Sequence, residues 1–441
     1  MDIFDNLYLC LFYIILISIG VFLLFLFHYL IYLDYALRKR NKFEDGKNNY
    51  KYAVLIPARD ESKVIENCLI SLKNQTYKNF DVYVIVESKQ DETVNIVNKY
   101  GYNVIIRKNI DSRRTKGYAL DDAYQEIKDL DYDAYMVFDA DNILANDFIK
   151  VLNDCKNQGY QVVVGYRNFT NACYNYVTSG SALMFSMINS LSSYGRNYIY
   201  NKTTITGTGY YIDKKIVEDA GGWIWNGMTE DVELTSYCYY HNVKMYYVDY
   251  ASYYDEQSEN MKVAHKQHIR WVWGFLGNKK RFKEPKNIDY KATNKFLKFL
   301  SKFENFLTIF PIVELLVTSS VIAIVSFIVL IVSFFFKLDS SYVLKYLLYS
   351  LSFILFSYLL YVLTAASILA VDNKRLKFKG IKKVKAVFTF APFLVDFIFA
   401  FLDGLFHKKK RTTWDKINHS GDVISKKARK QLYGTDNKEK R

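Results

Sequence analysis

The chain has 441 residues, enough for one large domain or two medium ones. Half of it is apolar, yet mean hydropathy is near zero at −0.07, which argues against a pore-like protein and for a soluble domain joined to membrane segments. A formal charge of +14 would suit nucleic acid, but Lys and Arg gather beside the hydrophobic stretches (Arg38, Lys39, Arg40 and Lys42; Lys374, Arg375, Lys377 and Lys379; Lys408, Lys409, Lys410 and Arg411). That placement reads as topology and contact with an anionic leaflet, and no nucleic-acid partner is expected. The five cysteines are Cys10, Cys68, Cys155, Cys173 and Cys238. The count is odd and CxxC is missing, so neither a disulfide framework nor a zinc site is indicated, and a reducing compartment is implied. Tyr and Phe number 39 and 32, which suits both membrane interfaces and flat sugar rings.

Residues 7–33 are almost wholly apolar and long enough to span a bilayer with tilt. Asp2 and Asp5 precede this run and the basic residues follow it, the reverse of a cleaved signal peptide. Residues 1–36 therefore read as a retained anchor with its amino end outside and the next region in the cytoplasm.

From residue 50 to 281 the pattern is strand and helix in turn. Strands are predicted at 52–56, 80–86, 103–106, 134–138 and 161–165, and helices at 61–74, 91–99, 115–128 and 146–157. Continuous apolar strands separated by helices imply an α/β domain with a doubly wound, mostly parallel sheet, whose ligands sit beyond the carboxyl ends of the strands. Several charged motifs follow strands there. Pro57-Ala58-Arg59-Asp60-Glu61 leaves the first, Glu87 ends the second, and Lys116-Gly117 opens a helix where a base or phosphate could approach. Taken singly, each is equally a solvated loop.

Phe138-Asp139-Ala140-Asp141-Asn142 ends the fourth strand. Two carboxylates at i and i+2 leaving a strand can face one small volume and offer hard oxygens to Mg²⁺ or Mn²⁺, which would neutralise charge on a diphosphate leaving group. The bland alternative is two surface aspartates. Thr229-Glu230-Asp231 opens a predicted helix running to residue 240. Such residues are ordinarily helix caps; the functional reading makes Asp231 a general base for an acceptor hydroxyl. Gln267-His268-Ile269-Arg270-Trp271 lies in a helical stretch over 259–281, with 267, 270, 271 and 274 on one face. Arg270 suits phosphate oxygens and Trp271 a sugar ring. An amphipathic helix with a buried Trp and a snorkelling Arg would look the same.

Residues 282–305 mix Lys with Phe and Leu at helical spacing and read as an interfacial segment. Residues 306–336 and 344–371 each exceed the spanning length and form a hairpin, two membrane helices within 306–372. Residues 386–406 contain Pro392, Asp396 and Asp403 and are flanked by basic residues. A fourth span there would place the basic tail, 407–441, outside, so an interfacial or re-entrant helix is expected.

In this order the motifs resemble the family-2 inverting glycosyltransferases, and most of all their membrane branch of cellulose, hyaluronan and poly-N-acetylglucosamine synthases. The resemblance covers about residues 50–281 and rests on PARDE at 57–61, the acidic loop near 87–93, KGYAL at 116–120, FDADN at 138–142, GTGYYI at 207–212, TED at 229–231 and QHIRW at 267–271. It implies a GT-A-like nucleotide-sugar-binding domain held between transmembrane helices, in a multi-pass cell-membrane protein with its catalytic domain cytoplasmic. It also implies a donor site of Pro57, Arg59, Glu61, Glu87, Lys116, Asp139 and Arg270, a metal held by Asp139 and Asp141, and Asp231 as base. Gly207, Gly209, Glu230, Gln267 and Trp271 fall to the acceptor side.

The usual donor of that branch is a uridine-diphosphate sugar, and the acceptor a growing cell-surface glycan. Accessory or homo-oligomeric membrane partners are compatible with it. Two departures matter: Glu87 stands where the family commonly has Asp, and no gating loop of the cellulose-synthase type follows QHIRW. The tail residues Trp414, Asp415, Lys416, Ile417 and His419 resemble a motif of relatives without a secure physical role. The rival readings are single glycosylation of a lipid carrier, a non-catalytic scaffold, and a transporter. The last fits poorly, because the spans hold almost no charge apart from Glu314.

Overall fold

The computed structural model describes residues 42–108, 110–278 and 340–406 continuously, with further positions within 13–38 and 324–337. The expectations for 282–305, for most of 306–339 and for the tail 407–441 lie outside the described residues.

The first half is built from β1 (Tyr52–Pro57), α1 (Ile65–Lys73), β2 (Phe80–Val86), α2 (Glu92–Lys99), β3 (Asn103–Ile106), α3 (Lys116–Ile127) and β4 (Ala134–Val137). Each strand is too apolar to face water on either side, so the helices close over both faces of a parallel ladder β3-β2-β1-β4. Local chemistry starts the helices: Asp91 accepts from Thr93 N at 2.9 Å and Thr115 Oγ1 from Tyr118 N at 3.4 Å.

The second half departs from the simple alternation. It contains β5 (Ile143–Leu144), α4 (Phe148–Asn157), β6 (Val162–Phe169) and α5 (Tyr176–Ser186). A π-helical segment, Met187–Ser193, carries α5 into α6 (Tyr194–Tyr200). Then come β7 (Tyr210–Asp213), α7 (Lys214–Asp219), α8 (Glu230–Tyr240), β8 (Met245–Asp255) and α9 (Met261–Asn278). The eight strands form one sheet in the order β3-β2-β1-β4-β7-β6-β8-β5. β7 runs antiparallel to both β4 and β6, and β5 antiparallel to β8, while β6 and β8 are parallel. The sheet is thus mostly parallel, as expected, with a mixed region where GTGYYI supplies a strand, Tyr210–Asp213, beyond the five expected.

Two long apolar helices follow, α10 (Ser340–Leu376) and α11 (Gly380–Phe406). Within them, Ile354–Leu376 and Gly380–Phe406 are long and apolar enough to cross a membrane. α11 runs unbroken through Pro392. It packs on α5, where the ring of Phe393 fills the space that a side chain at Gly180 would need. α10 is bolted to the sheet by charge: Arg375 donates to Asp372 Oδ1 at 2.8 Å and to Asp249 Oδ2 at 2.5 Å, over the ring of Tyr166. Asp372 is fully buried and also accepts from Ser186 Oγ. Arg375 was read with the leaflet-facing cations; the structure uses it instead as an internal clamp. The helical positions before residue 38 join the same layer, with Tyr29 OH donating to Ser367 Oγ at 3.1 Å.

The α5–α11 contact gives a direct test. Gly180→Ala would place a methyl 2.2 Å from Phe393 Cγ. It should destabilise the chain by about 1–3 kcal/mol through overpacking, read as a lower thermal unfolding midpoint in detergent. An unchanged midpoint would mean the two helices are apart in solution.

Candidate active site

The site is assembled where β4 ends. The backbone of Asp139 donates to Thr208 Oγ1 at 2.9 Å and to Asn142 Oδ1 at 3.2 Å, and Asn142 Nδ2 donates to Asp141 Oδ1 at 3.1 Å. Asn142 is fully buried. These bonds fold the loop back on itself, so that both carboxylates leave it at the carboxyl edge of the sheet. Lys116, the first residue of α3, is buried beneath them. Its ammonium pairs with Asp139, donates to the Gly207 carbonyl at 2.7 Å and stands 3.8 Å from Glu230 Oε1. Burial alone would lower the Lys116 pKa, but Asp139 and Glu230 outweigh it and hold it above the ordinary lysine value.

Lys116 therefore joins three separate motifs. Gly207 (φ +87°) and Gly209 (φ +69°) both take backbone conformations that other residues resist. A side chain at Gly207 would come within 3.5 Å of Asp231 Oδ2, and one at Gly209 would meet the ring of Tyr253. Thr229 precedes α8 but makes no capping bond, and its hydroxyl is buried without a partner among the described residues. The helix is instead pinned by Glu233, whose carboxylate accepts from Gly227 N at 3.1 Å. Gly117 approaches the backbone of Trp225 and Asn226 rather than lining an open cleft.

The electrostatics follow from packing many acids together. Burial pushes Asp231 up, opposed by its bond from Val232 N and by Lys116. Burial also raises Glu230, to about 8, with Lys116 opposing and Asp231 adding. Asp141 stands well above the usual carboxylate range, through burial and then through Asp255 and Asp139.

Asp255 was not singled out in the sequence. It ends β8, beside Phe169 at the end of β6, and hydrogen-bonds Asp141. Arg167 chelates it through Nε at 2.7 Å and Nη2, and Arg167 Nη1 donates to the Thr206 carbonyl at 3.0 Å. Gln257 Nε2 adds a bond to Asp255 Oδ2 at 2.8 Å. A lone Arg and a terminal Asp on Tyr-rich strands carry no spacing signal that separates them from surface residues.

The acids Asp139, Asp141, Glu230, Asp231 and Asp255 are thus drawn together from three segments around Lys116 and Arg167. No three His, Cys, Asp or Glu side chains among the described residues could hold a metal by themselves. Asp139 and Asp141 fit a shared role, giving two hard oxygens and leaving the other positions of a Mg²⁺ or Mn²⁺ to phosphate and water. Asp141 is raised first by burial and then by Asp255 and Asp139, and a cation would relieve the part due to those neighbouring carboxylates.

At the loop after β1, Pro57 ends the strand, and Arg59 Nε sits 3.1 Å from Glu87 Oε2. Glu87 Oε1 accepts from the buried Arg107 at 3.5 Å, and Arg107 also pairs with Asp122 at 2.8 Å. Glu61 N donates to Thr93 Oγ1 at 3.1 Å, and the Glu61 carboxylate lies near enough to raise Asp141.

Gln267 and Arg270 stand half-buried on α9. Trp271 is held edge-on to Phe185 at 5.8 Å and stacks toward Phe397 at 6.5 Å. The Phe185 ring lies 4.1 Å under the Arg167 guanidinium, so two residues, Phe185 and Arg167, stand between Trp271 and Asp255.

Removing Arg167 should expose the strain of this arrangement. Arg167→Leu leaves Asp255 and Asp141 facing each other without the guanidinium. A loss of about 3 kcal/mol is expected for stranding one partner of a buried ion pair, measured as a lower denaturant midpoint, and an unchanged midpoint would deny the pair any structural role.

Residues 49–274, from just before β1 into α9, match the family described as glycosyltransferase like family 2. A probable glycosyltransferase of Bacillus subtilis, YdaM, is 28% identical over 240 residues, which is 52% of this chain and 56% of that one. Poly-beta-1,6-N-acetyl-D-glucosamine synthase of Staphylococcus epidermidis is 23% identical over 230 residues, 50% of this chain and 53% of that one. The chain thus spans about half the length of the curated relatives it matches. A mannosyltransferase from Pyrobaculum calidifontis, solved with GDP-mannose and Mn²⁺, superposes with a TM-score of 0.55 at 14% identity, over 90% of this chain and 99% of that one. That likeness shows the fold, a GT-A arrangement. With more than half of its length matched by the family, the chain belongs to the family-2-like glycosyltransferases.

Proposed function

We propose that the protein is an inverting glycosyltransferase that moves a sugar from a nucleotide-diphosphate donor, a uridine-diphosphate sugar, to a growing cell-surface polysaccharide at the cytoplasmic face of the membrane. One observation carries the reading: acids from the DAD and TED motifs meet around the single ammonium of Lys116 at the carboxyl edge of the sheet.

In this reading the donor's nucleotide lies along 57–61 and Glu87, and its diphosphate rests near Asp139. Asp139 and Asp141 would hold a divalent cation, which supplies charge neutralisation to the departing diphosphate. Asp231 accepts the proton of the acceptor hydroxyl while that oxygen bonds to the anomeric carbon. The bond from that carbon to the diphosphate oxygen breaks, and the electron pair leaves on the phosphate. The raised pKa of Asp231 favours a proton acceptor. Glu230, raised first by burial, suits donating a hydrogen bond to the acceptor rather than taking its proton. Arg270 would meet phosphate oxygens, and Gln267 and Trp271 would border the acceptor.

The membrane part of the proposal has its own support. The start of α11 presents exposed Ile381, Val384 and Phe388 beside exposed Lys382, Lys383 and Lys385, the composition of a helix resting on an anionic leaflet. Cys68, Cys155, Cys173 and Cys238 are free thiols, consistent with a cytoplasmic domain. A second reading, one addition to a lipid-linked acceptor, is favoured by α11 packing directly against Trp271 through Phe397. Product length against time separates the two.

Two tests bear on the chemistry. Asp231→Asn should lower transfer by at least about a hundredfold while nucleotide binding, measured by titration, stays near normal; ordinary turnover would remove the base assignment. EDTA should stop transfer in membranes carrying the protein, and Mg²⁺ or Mn²⁺ should restore it. Full activity in EDTA would remove the cation from the site.

A further inference from the structure

α9 carries Gln267, Arg270 and Trp271, and it is gripped from two sides. On one side Gly274 approaches Thr229 so closely that an added methyl would stand 2.5 Å from Thr229 Cγ2. Thr229 directly precedes Glu230 and Asp231. On the other side lies α11, with an acid inside its apolar sequence. Asp396 Oδ1 accepts from His265 Nδ1 at 2.9 Å, and Asp396 Oδ2 from His268 Nδ1 at 2.6 Å. Asp403 Oδ2 lies 3.4 Å from His265 Nε2. His268 is 1% exposed, stacks on Phe397 with centroids 4.0 Å apart and meets Phe393 edge-on at 5.3 Å.

A carboxylate only accepts, so both Nδ1 atoms must carry protons toward Asp396. One acid therefore fixes two points of α9 nearly one turn apart, setting both its rotation and its height. Apolar contacts alone would hold the helices together: Trp273 stacks on Phe401 at 5.6 Å, beside the Phe393 and Phe397 contacts. Apolar packing tolerates sliding, whereas two hydrogen bonds to one carboxylate do not. A buried ionic contact adds little net stability over an apolar one, and its use lies in specifying register.

We propose that Asp396 is a positioning residue of the transfer site. Acting through His265 and His268, it sets where Gln267, Arg270 and Trp271 stand relative to Asp231, and it ties that geometry to the apolar helix α11. The inference rests on the transferase reading above.

The test uses the full chain in detergent or native membranes with Asp396→Asn, His268→Gln, the double variant and Asp396→Glu. Asp396→Asn keeps the side chain's shape but can no longer accept from both histidines. Its kcat should fall by at least about tenfold with the unfolding midpoint near that of the parent, because small displacements of positioning groups are felt in the reaction step. The double variant should fall no more than about twofold below the worse single one, since both changes break the same contact. Asp396→Glu should recover part of the loss.

A kcat within about twofold of the parent in Asp396→Asn, a fall matched by a lost midpoint, or additive losses in the double variant would each overturn the proposal. Asp231→Asn run alongside distinguishes the failures. If it abolishes transfer while Asp396→Asn does not, the positioning role alone falls. If the parent chain transfers no sugar from any labelled nucleotide donor, the transferase reading falls and the proposal falls with it.

Discussion

The constraint on which the rest of the structure turns is the burial of several acids in one small volume with few cations to match. A carboxylate removed from water costs several kcal/mol unless it is paired or protonated. Here Lys116 answers Asp139 and Glu230, and Arg167 answers Asp255. The local architecture reads as the means of holding those two cations in place. Lys116 is aimed by the start of α3 and locked by the Gly207 carbonyl. Arg167 is aimed by an irregularity in the β6–β8 pairing between Gly165 and Tyr166, the kind of feature that re-aims a side chain beside a site. Incomplete compensation remains, and the raised Asp141, Glu230 and Asp231 record it. A site poised to accept a cation and a polyanion together has that electrostatic character.

How much of this was legible in the sequence depended on range. β1 through β4 and their helices were readable because each strand is a short, largely apolar run bounded by polar turns, even though β4 pairs with β1 and β7 rather than with the strand before it. β3 was expected at 103–106 and is found at Asn103–Ile106. β7 and β8 escaped notice because Tyr dominates them. Tyr210–Asp213 and Met245–Asp255 lack the aliphatic signature of a buried strand, and their hydroxyls look like surface. Asp255 and Arg167 were lost with them, since nothing in YYD or GYR marks a carboxylate and a guanidinium that meet across 88 positions.

The same limit applies to the membrane-facing part. Asp396 and Asp403, seen alone, made residues 386–406 ambiguous, because acids in an apolar helix argue against a simple span. Their partners sit 131 and 138 positions earlier, on α9. Once those histidines are placed opposite, the acids report an internal contact with the catalytic domain, and they no longer say anything by themselves about whether the helix crosses the bilayer. Arg375 teaches the converse lesson. Charge counting assigns it to the leaflet, while its contacts with Asp249 and Asp372 assign it to the interior.

The two halves of the molecule therefore differ in what would be needed to change them. The first half, β1 through β4, is a set of short βα units whose acids and cations lie near their own strands, and its pairs, such as Arg59 with Glu87, span tens of residues. The second half is held by contacts over more than a hundred residues, from Tyr29 to Ser367 and from His265 to Asp396. Long-range contacts form only after the chain between them has been ordered, so this half depends on α10 and α11 being in place. A catalytic domain cut free of those helices would retain its parallel ladder but lose the wall behind Trp271 and the clasp on His268. Under the proposed reading the apolar helices are then part of the scaffold of the site, a demand on their sequence separate from any membrane role.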